Sequence, residues 1–178
     1  ITNDDADGTP SQPIEYIGPF GGDVAMFSNN GVATGWVLSN ARNVRLRALT
    51  VRAFTNGIYV VQGPGSSSTN NEFRGLTIVS NVVRGVYLNG TNVDANRVVS
   101  NTFDGKNRQD FGIHVRDGDR NVVTNNTMFR QTNAGVQLDL SASSNLVVGN
   151  NASSNLSYGV YLTGGNVDAN RVALNIFN

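Results

Sequence analysis

The densest set of side chains able to do chemistry lies between Asp104 and Arg120. It opens with Asp104-Gly105-Lys106-Asn107-Arg108-Gln109-Asp110 and continues through His114, Arg116, Asp117, Asp119 and Arg120. The chain's only lysine and only histidine are both here. Proton abstraction from a uronate sugar needs a cation against the carboxylate, a base for the ring proton and an acid for the leaving oxygen. Arg116 or Arg120, His114 and Tyr87 are the types that fill those roles. Hydrolysis needs two carboxyl groups flanking the bond, and Asp117 or Asp119 with Asp139 is the nearest pair. The competing reading is a solvated loop with an Arg116–Asp139 surface pair worth little.

These residues are distant along the chain, so a repeating framework must gather them. From about Gly35 to the last residue the sequence repeats with a period of about 24–26 residues. Each unit opens with a Gly-led segment: Gly35-Trp36-Val37-Leu38, Gly57-Ile58-Tyr59-Val60, Gly85-Val86-Tyr87-Leu88, Gly112-Ile113-His114-Val115, Gly135-Val136-Gln137-Leu138 and Gly159-Val160-Tyr161-Leu162. Apolar residues alternate with others, the period of a half-buried strand. A second element supplies Leu46, Phe73, Val98, Val123, Val147 and Val172. A third supplies Val51, Ile78, Phe103, Met128, Ala152 and Phe177. Between them runs Leu49, Leu76, Asn101, Asn126, Asn150, Asn175. The four asparagines are expected to stack as an internal ladder that satisfies turn backbone at each level.

No unit can bury its own apolar face, so the repeats must stack. Three short strands per coil with a turn asparagine resemble the right-handed parallel β-helix superfamily, which holds the pectate-lyase-like and NosD-like repeat proteins. The resemblance covers residues 35–178 and predicts an all-β solenoid of about six coils of 24–26 residues. The leucine-rich-repeat pattern fits Phe73-x-x-Leu76-x-Ile78-x-x-Asn81, but Asn101, Asn126 and Asn150 break it later. The resemblance implies ligands along the outward face of the Gly-led sheet. There the columns read Val37, Tyr59, Tyr87, His114, Gln137, Tyr161 and Ser39, Val61, Asn89, Arg116, Asp139, Thr163. Tyr59, Tyr87 and Tyr161 are expected to stack on sugar rings, with Gln137, Asp117 and Asp119 bonding to hydroxyls. No catalytic motif of the polygalacturonases, pectate lyases or epimerases stands in the sequence, so none of their residues carries over.

A longer repeat is superimposed. Gly85–Val98 recurs as Gly159–Val172, 74 residues on. At ~4.8 Å per strand this sets Tyr87 and Tyr161 on one face about 14 Å apart. It reads as duplication of a three-coil block, or as two equivalent binding positions.

Composition narrows the partners. Thirteen basic residues balance thirteen acidic ones, so no basic face favours nucleic acid. Cysteine is missing, which removes disulfides, thiolate metal sites and a cysteine nucleophile. No apolar run is long enough for a membrane span. Asparagine is abundant at 26 residues, and the Asn-x-Ser/Thr triplets at Asn89, Asn125, Asn151 and Asn155 follow from that. Residues 1–34, with Pro10, Pro13 and Pro19, are expected to form an irregular cap or linker. The C-terminal coil is expected to continue into a longer chain or an oligomer. No cofactor is expected beyond a calcium candidate: Asn3, Asp5 and Asp7 alternate before Gly8 as in the first half of a Ca²⁺ loop, but Ile14 stands where a glutamate belongs.

Two functions compete. One is a secreted or cell-surface module, or a periplasmic one, that binds polysaccharide or oligosaccharide, alone or as part of a lyase, epimerase or hydrolase. The other is a non-catalytic structural or adhesive rod. A metal-handling periplasmic role is a third, with one histidine and no cysteine to support it.

Overall fold

The computed structural model describes residues 2–4, 6–18, 25–27 and 33–178. The chain is a right-handed parallel β-helix, and no helix occurs among the described residues. Ahead of Gly35 come β1 (Thr2–Asp4), β2 (Ile14–Ile17) and β3 (Ala25–Phe27). Then follow β4 (Thr34–Ser39), β5 (Val44–Arg47) and β6 (Thr50–Arg52), and next β7 (Asn56–Val61), β8 (Glu72–Arg74) and β9 (Thr77–Val79). Further coils are β10 (Arg84–Asn89), β11 (Arg97–Val99) and β12 (Thr102–Asp104), then β13 (Phe111–Arg116), β14 (Val122–Thr124) and β15 (Thr127–Phe129). The last are β16 (Ala134–Asp139), β17 (Leu146–Val148), β18 (Tyr158–Thr163) and β19 (Arg171–Ala173).

The strands form three parallel sheets. The first runs β1-β4-β7-β10-β13-β16-β18, the second β2-β5-β8-β11-β14-β17-β19 and the third β3-β6-β9-β12-β15. The described residues of the N-terminal segment contribute strands to this framework. Each sheet takes one strand from it, and β1 pairs with β4 through Thr2↔Val37 and Asn3↔Leu38. Its prolines and short runs hide the alternation, but proline is tolerated beside an edge strand.

The core is the set of inward columns. Ile58, Val86, Ile113 and Val136 stack on the first sheet, Phe73, Val98, Val123 and Val147 on the second, and Ile78, Phe103 and Met128 on the third, all fully buried. Each such side chain contributes about 1.5–3 kcal/mol of burial. In the last coil Val172 and Phe177 are exposed. The leading glycines have a steric cause. A Cβ on Gly57, Gly85 or Gly112 would lie 2.6–2.7 Å from the carbonyl oxygen of the glycine in the next coil.

Buried amides hold the corners. Asn101 N–H and Nδ2 both donate to Asn126 Oδ1 at 3.0 Å, and Asn126 repeats this on Asn150. Leu76, which precedes Asn101 in the column, donates its backbone N–H to Asn101 Oδ1 at 2.9 Å. A second column, Asn71, Asn96, Asn121, Asn145 and Asn170, precedes the second sheet and is linked in the same way. A third corner joins Asn81, Gln109, Gln131 and Asn155. Groups that would otherwise be buried without partners are satisfied coil by coil.

The calcium candidate falls only in part on described residues. Asn3 sits in extended strand, Asp7 Oδ2 is 3.6 Å from Arg42 Nη1, and Asp5 lies outside the described residues.

Candidate functional site

The first sheet brings the candidate residues together in register. Tyr59, Tyr87, His114, Gln137 and Tyr161 are successive Cα partners, as are Asn89, Arg116 and Asp139. The column is far more enclosed than a sugar platform. Tyr87 is 7% exposed and His114 3%. Tyr59 and Tyr87 stack with centroids 5.2 Å apart, and Tyr87 and His114 stack at 4.9 Å. Phe111 lies against His114 at 5.2 Å, and the Arg84 guanidinium covers Tyr87 at 4.1 Å. Because the rings lie on one another, the faces between them are used up. What the column offers outward is ring edges and hydroxyls.

His114 is locked by its neighbours. Arg84 Nε donates to His114 Nδ1 at 2.8 Å. Nδ1 is therefore the unprotonated nitrogen, and the ring proton belongs on Nε2. That nitrogen lies 3.0 Å from Asp139 Oδ2 but off the direction of a formed hydrogen bond. Gln137 Nε2 donates to the same oxygen at 3.0 Å. Burial pushes the His114 pKa down to about 4; Asp139 opposes this, and the Arg84 and Arg116 charges reinforce it. The ring is neutral at ordinary pH, and Arg84 occupies the nitrogen that would act as a base.

Arg116 and Asp139 sit opposite each other yet form no ion pair among the described residues. The Tyr87 hydroxyl is instead the neighbour that most raises the Arg116 pKa. Burial raises the Tyr87 pKa against the pull of Arg116 and Arg84, so the phenol stays protonated. The other candidates are used elsewhere. Arg120 Nη2 bonds Asp94 Oδ2 at 2.9 Å. Asp117 and Asp119 accept the backbone N–H groups of Ser141 and Ser143 at 3.3 and 2.8 Å, tying loop to loop. Lys106 and Arg130 both pair with Asp104. Burial raises the Asp104 pKa, but the bonds from these two cations outweigh it and hold the carboxyl below its usual range. Tyr161 stacks on Tyr158 at 4.5 Å, so its surroundings differ from those of Tyr87 despite the sequence repeat.

Arg84 was missed by reading only the columns that follow each glycine. The residue before the glycine also points outward, and in register that column reads Asn56, Arg84, Phe111, Ala134 and Tyr158.

The family described as "Periplasmic copper-binding protein (NosD)" matches residues 20–178. The chain belongs to this family. No curated protein matches it. Among solved structures, the crystal structure of pectate lyase Pel9A superposes with a TM-score of 0.69 at 16% identity, covering 88% of this chain and 40% of that one. The likeness is one of fold, and the chain spans well under half of the pectate lyase. Among the described residues no helix is long and apolar enough to cross a membrane.

Copper, which the family description implies, does not fit the side chains that the structure describes. Copper favours thiolate, thioether and imidazole donors. The chain has no cysteine, and His114 is enclosed with Nδ1 facing a guanidinium. Met128 is fully buried in the core. Among the described residues no three His, Asp or Glu side chains converge.

Proposed function

We propose that this segment is an extracytoplasmic β-helical module, secreted or periplasmic, that associates with an acidic polysaccharide along its first sheet and does no chemistry on it. One observation carries this reading. Arg84 lies over the Tyr87 ring, Arg116 stands on the neighbouring strand close enough to Tyr87 for each to shift the other's pKa, and neither guanidinium pairs with a carboxylate among the described residues. Planar guanidinium forks suit carboxylates. Asn89 and the Tyr59 hydroxyl, bonded to each other at 3.0 Å, add polar groups beside them. The pectate lyase neighbour, whose name gives an acidic polysaccharide as substrate, supports the same class.

The structural-rod reading is favoured by the closed aromatic column, since rings stacked on each other stiffen the face without needing a ligand. Titration calorimetry with oligogalacturonate, oligomannuronate and neutral cello-oligosaccharide separates the two. Saturable binding of the acidic oligomers without turnover supports the proposal. Absence of binding to all three supports the rod. Release of unsaturated or reducing ends would show an enzyme and overturn the non-catalytic part.

A further inference from the structure

A cluster of arginines lies away from the first sheet, on β2, β5 and β8 of the second sheet and the turns that follow them. Arg47 and Arg74 are register partners on β5 and β8, so two guanidinium stems stand side by side. Like charges in that position are destabilising unless something offsets them. Glutamates do so only in part. Glu15 is shared by Arg45 at 3.0 Å and Arg47 at 3.7 Å, and Glu72 by Arg47 at 2.9 Å and Arg97 at 3.7 Å. Four arginines thus face two glutamates, and Arg74 pairs with no carboxylate among the described residues. Arg47 Nε is buried without an acceptor.

Beside these two arginines is a cleft of about 320 Å³ lined by Ile17, Arg47, Ala48, Arg74 and Gly75. Its remaining walls are apolar, and Ile17 is 54% exposed. Gly75 has φ +63°, and a Cβ there would meet nothing within 4 Å, so this wall faces open space. The cleft therefore combines surplus positive charge with an apolar wall.

We infer that this cleft binds a small amphipathic oxyanion, its carboxylate or phosphate head between Arg47 and Arg74 and its aliphatic part on Ile17 and Gly75. Arg74 supplies the charge that no glutamate neutralises. The apolar wall makes an alkyl-bearing anion a better ligand than the bare ion.

The test is titration of the intact chain, followed by amide chemical-shift changes, with hexyl phosphate, hexanoate, inorganic phosphate and hexyltrimethylammonium. Saturable shifts at residues 17, 47, 48, 74 and 75 are expected with the two alkyl anions. Weaker shifts are expected with inorganic phosphate, and none with the cation. Preference for hexyl phosphate over hexanoate, or the reverse, assigns the head group. Arg74→Ala should weaken binding about ten-fold, the value of one charge-assisted bond. Glu72→Gln, which frees Arg47, should tighten it, and this second variant keeps the test independent of Arg74. Equal binding of the cation, no binding of the alkyl anions, or affinity unchanged in both variants overturns the proposal.

Discussion

Arg84 donates its Nε–H to His114 Nδ1 across 2.8 Å, from the strand before the one that carries the histidine. This bond turns the residue best suited by type to be a base into a structural acceptor. It also fixes the Arg84 guanidinium over the Tyr87 ring. The cation of the proposed anion-binding face is therefore positioned by His114, which Asp139 in turn faces from the next coil.

Stability should fall as the pH drops through the window set by His114. In the unfolded chain the imidazole takes up a proton near 6.5, whereas in the folded chain it does so near 4. Between those values unfolding takes up a proton, so stability declines from pH 6.5 downward and the loss is complete below 4. The full term is on the order of 3 kcal/mol. His114→Gln places here the residue that the next coil carries at Gln137, and its amide oxygen can still accept from Arg84. Urea midpoints measured from pH 7 to 4 should slope less in the variant. An identical slope would mean that His114 is not the titrating group.

Asn126→Leu should cost about 2–4 kcal/mol, although Leu49 and Leu76 fill the same column in earlier coils. Asn126 Oδ1 accepts from both Asn101 donors, and its Nδ2 donates to Val98 O at 2.8 Å and to Asn150 Oδ1. Leucine leaves these buried groups without partners. Asn175→Ala, in the half-buried last level, should cost less. Denaturant titration of both variants checks the order, and equal losses would show that the hydrogen bonds between levels carry little.

The strands from Gly35 onward could be read from the sequence, because alternation, leading glycines and turn asparagines are short-range patterns repeated six times. The inward residues Leu46, Phe73, Val98 and Val147 are buried as their positions dictate. What the outward column does could not be read that way. Three tyrosines in one outward column look like a row of sugar platforms. Only side-chain placement shows Tyr59, Tyr87 and His114 lying on one another. The Arg116–Asp139 pair failed for a related reason. Register makes them neighbours, but no ion pair forms between them, and Asp139 finds His114 and Gln137 instead. The asparagine column from Asn71 to Asn170 stood in the repeat motif itself. Its ladder role went unrecognised because only the Leu49–Asn175 column switches from leucine to asparagine.

Arg116→Gln should weaken binding of an acidic oligosaccharide about ten-fold and leave the fold intact, since Arg116 is only partly buried. Arg120→Gln should change nothing, because that side chain is committed to Asp94. The paired measurement separates a local carboxylate contact from a general loss of positive charge. Equal weakening by both variants would count against a site on the first sheet.

Copper should not bind this segment stoichiometrically. Coordination by His114 through Nδ1 would first have to displace the Arg84 donor, and through Nε2 would bring the metal into a site 3% exposed. The neighbouring Asp139 is a lone carboxylate, and no third donor converges on it among the described residues. Two ligands of that kind, beside two guanidinium charges, make a poor site for a dication. Equilibrium dialysis against Cu(II) and Cu(I), with metal counted per chain, should give well under one equivalent at micromolar free metal. His114→Ala should leave that residual uptake unchanged. One tightly held equivalent that disappears in His114→Ala would reverse the conclusion. It would also require the Arg84–His114 bond to open when metal enters, which the imidazole proton signals would report directly.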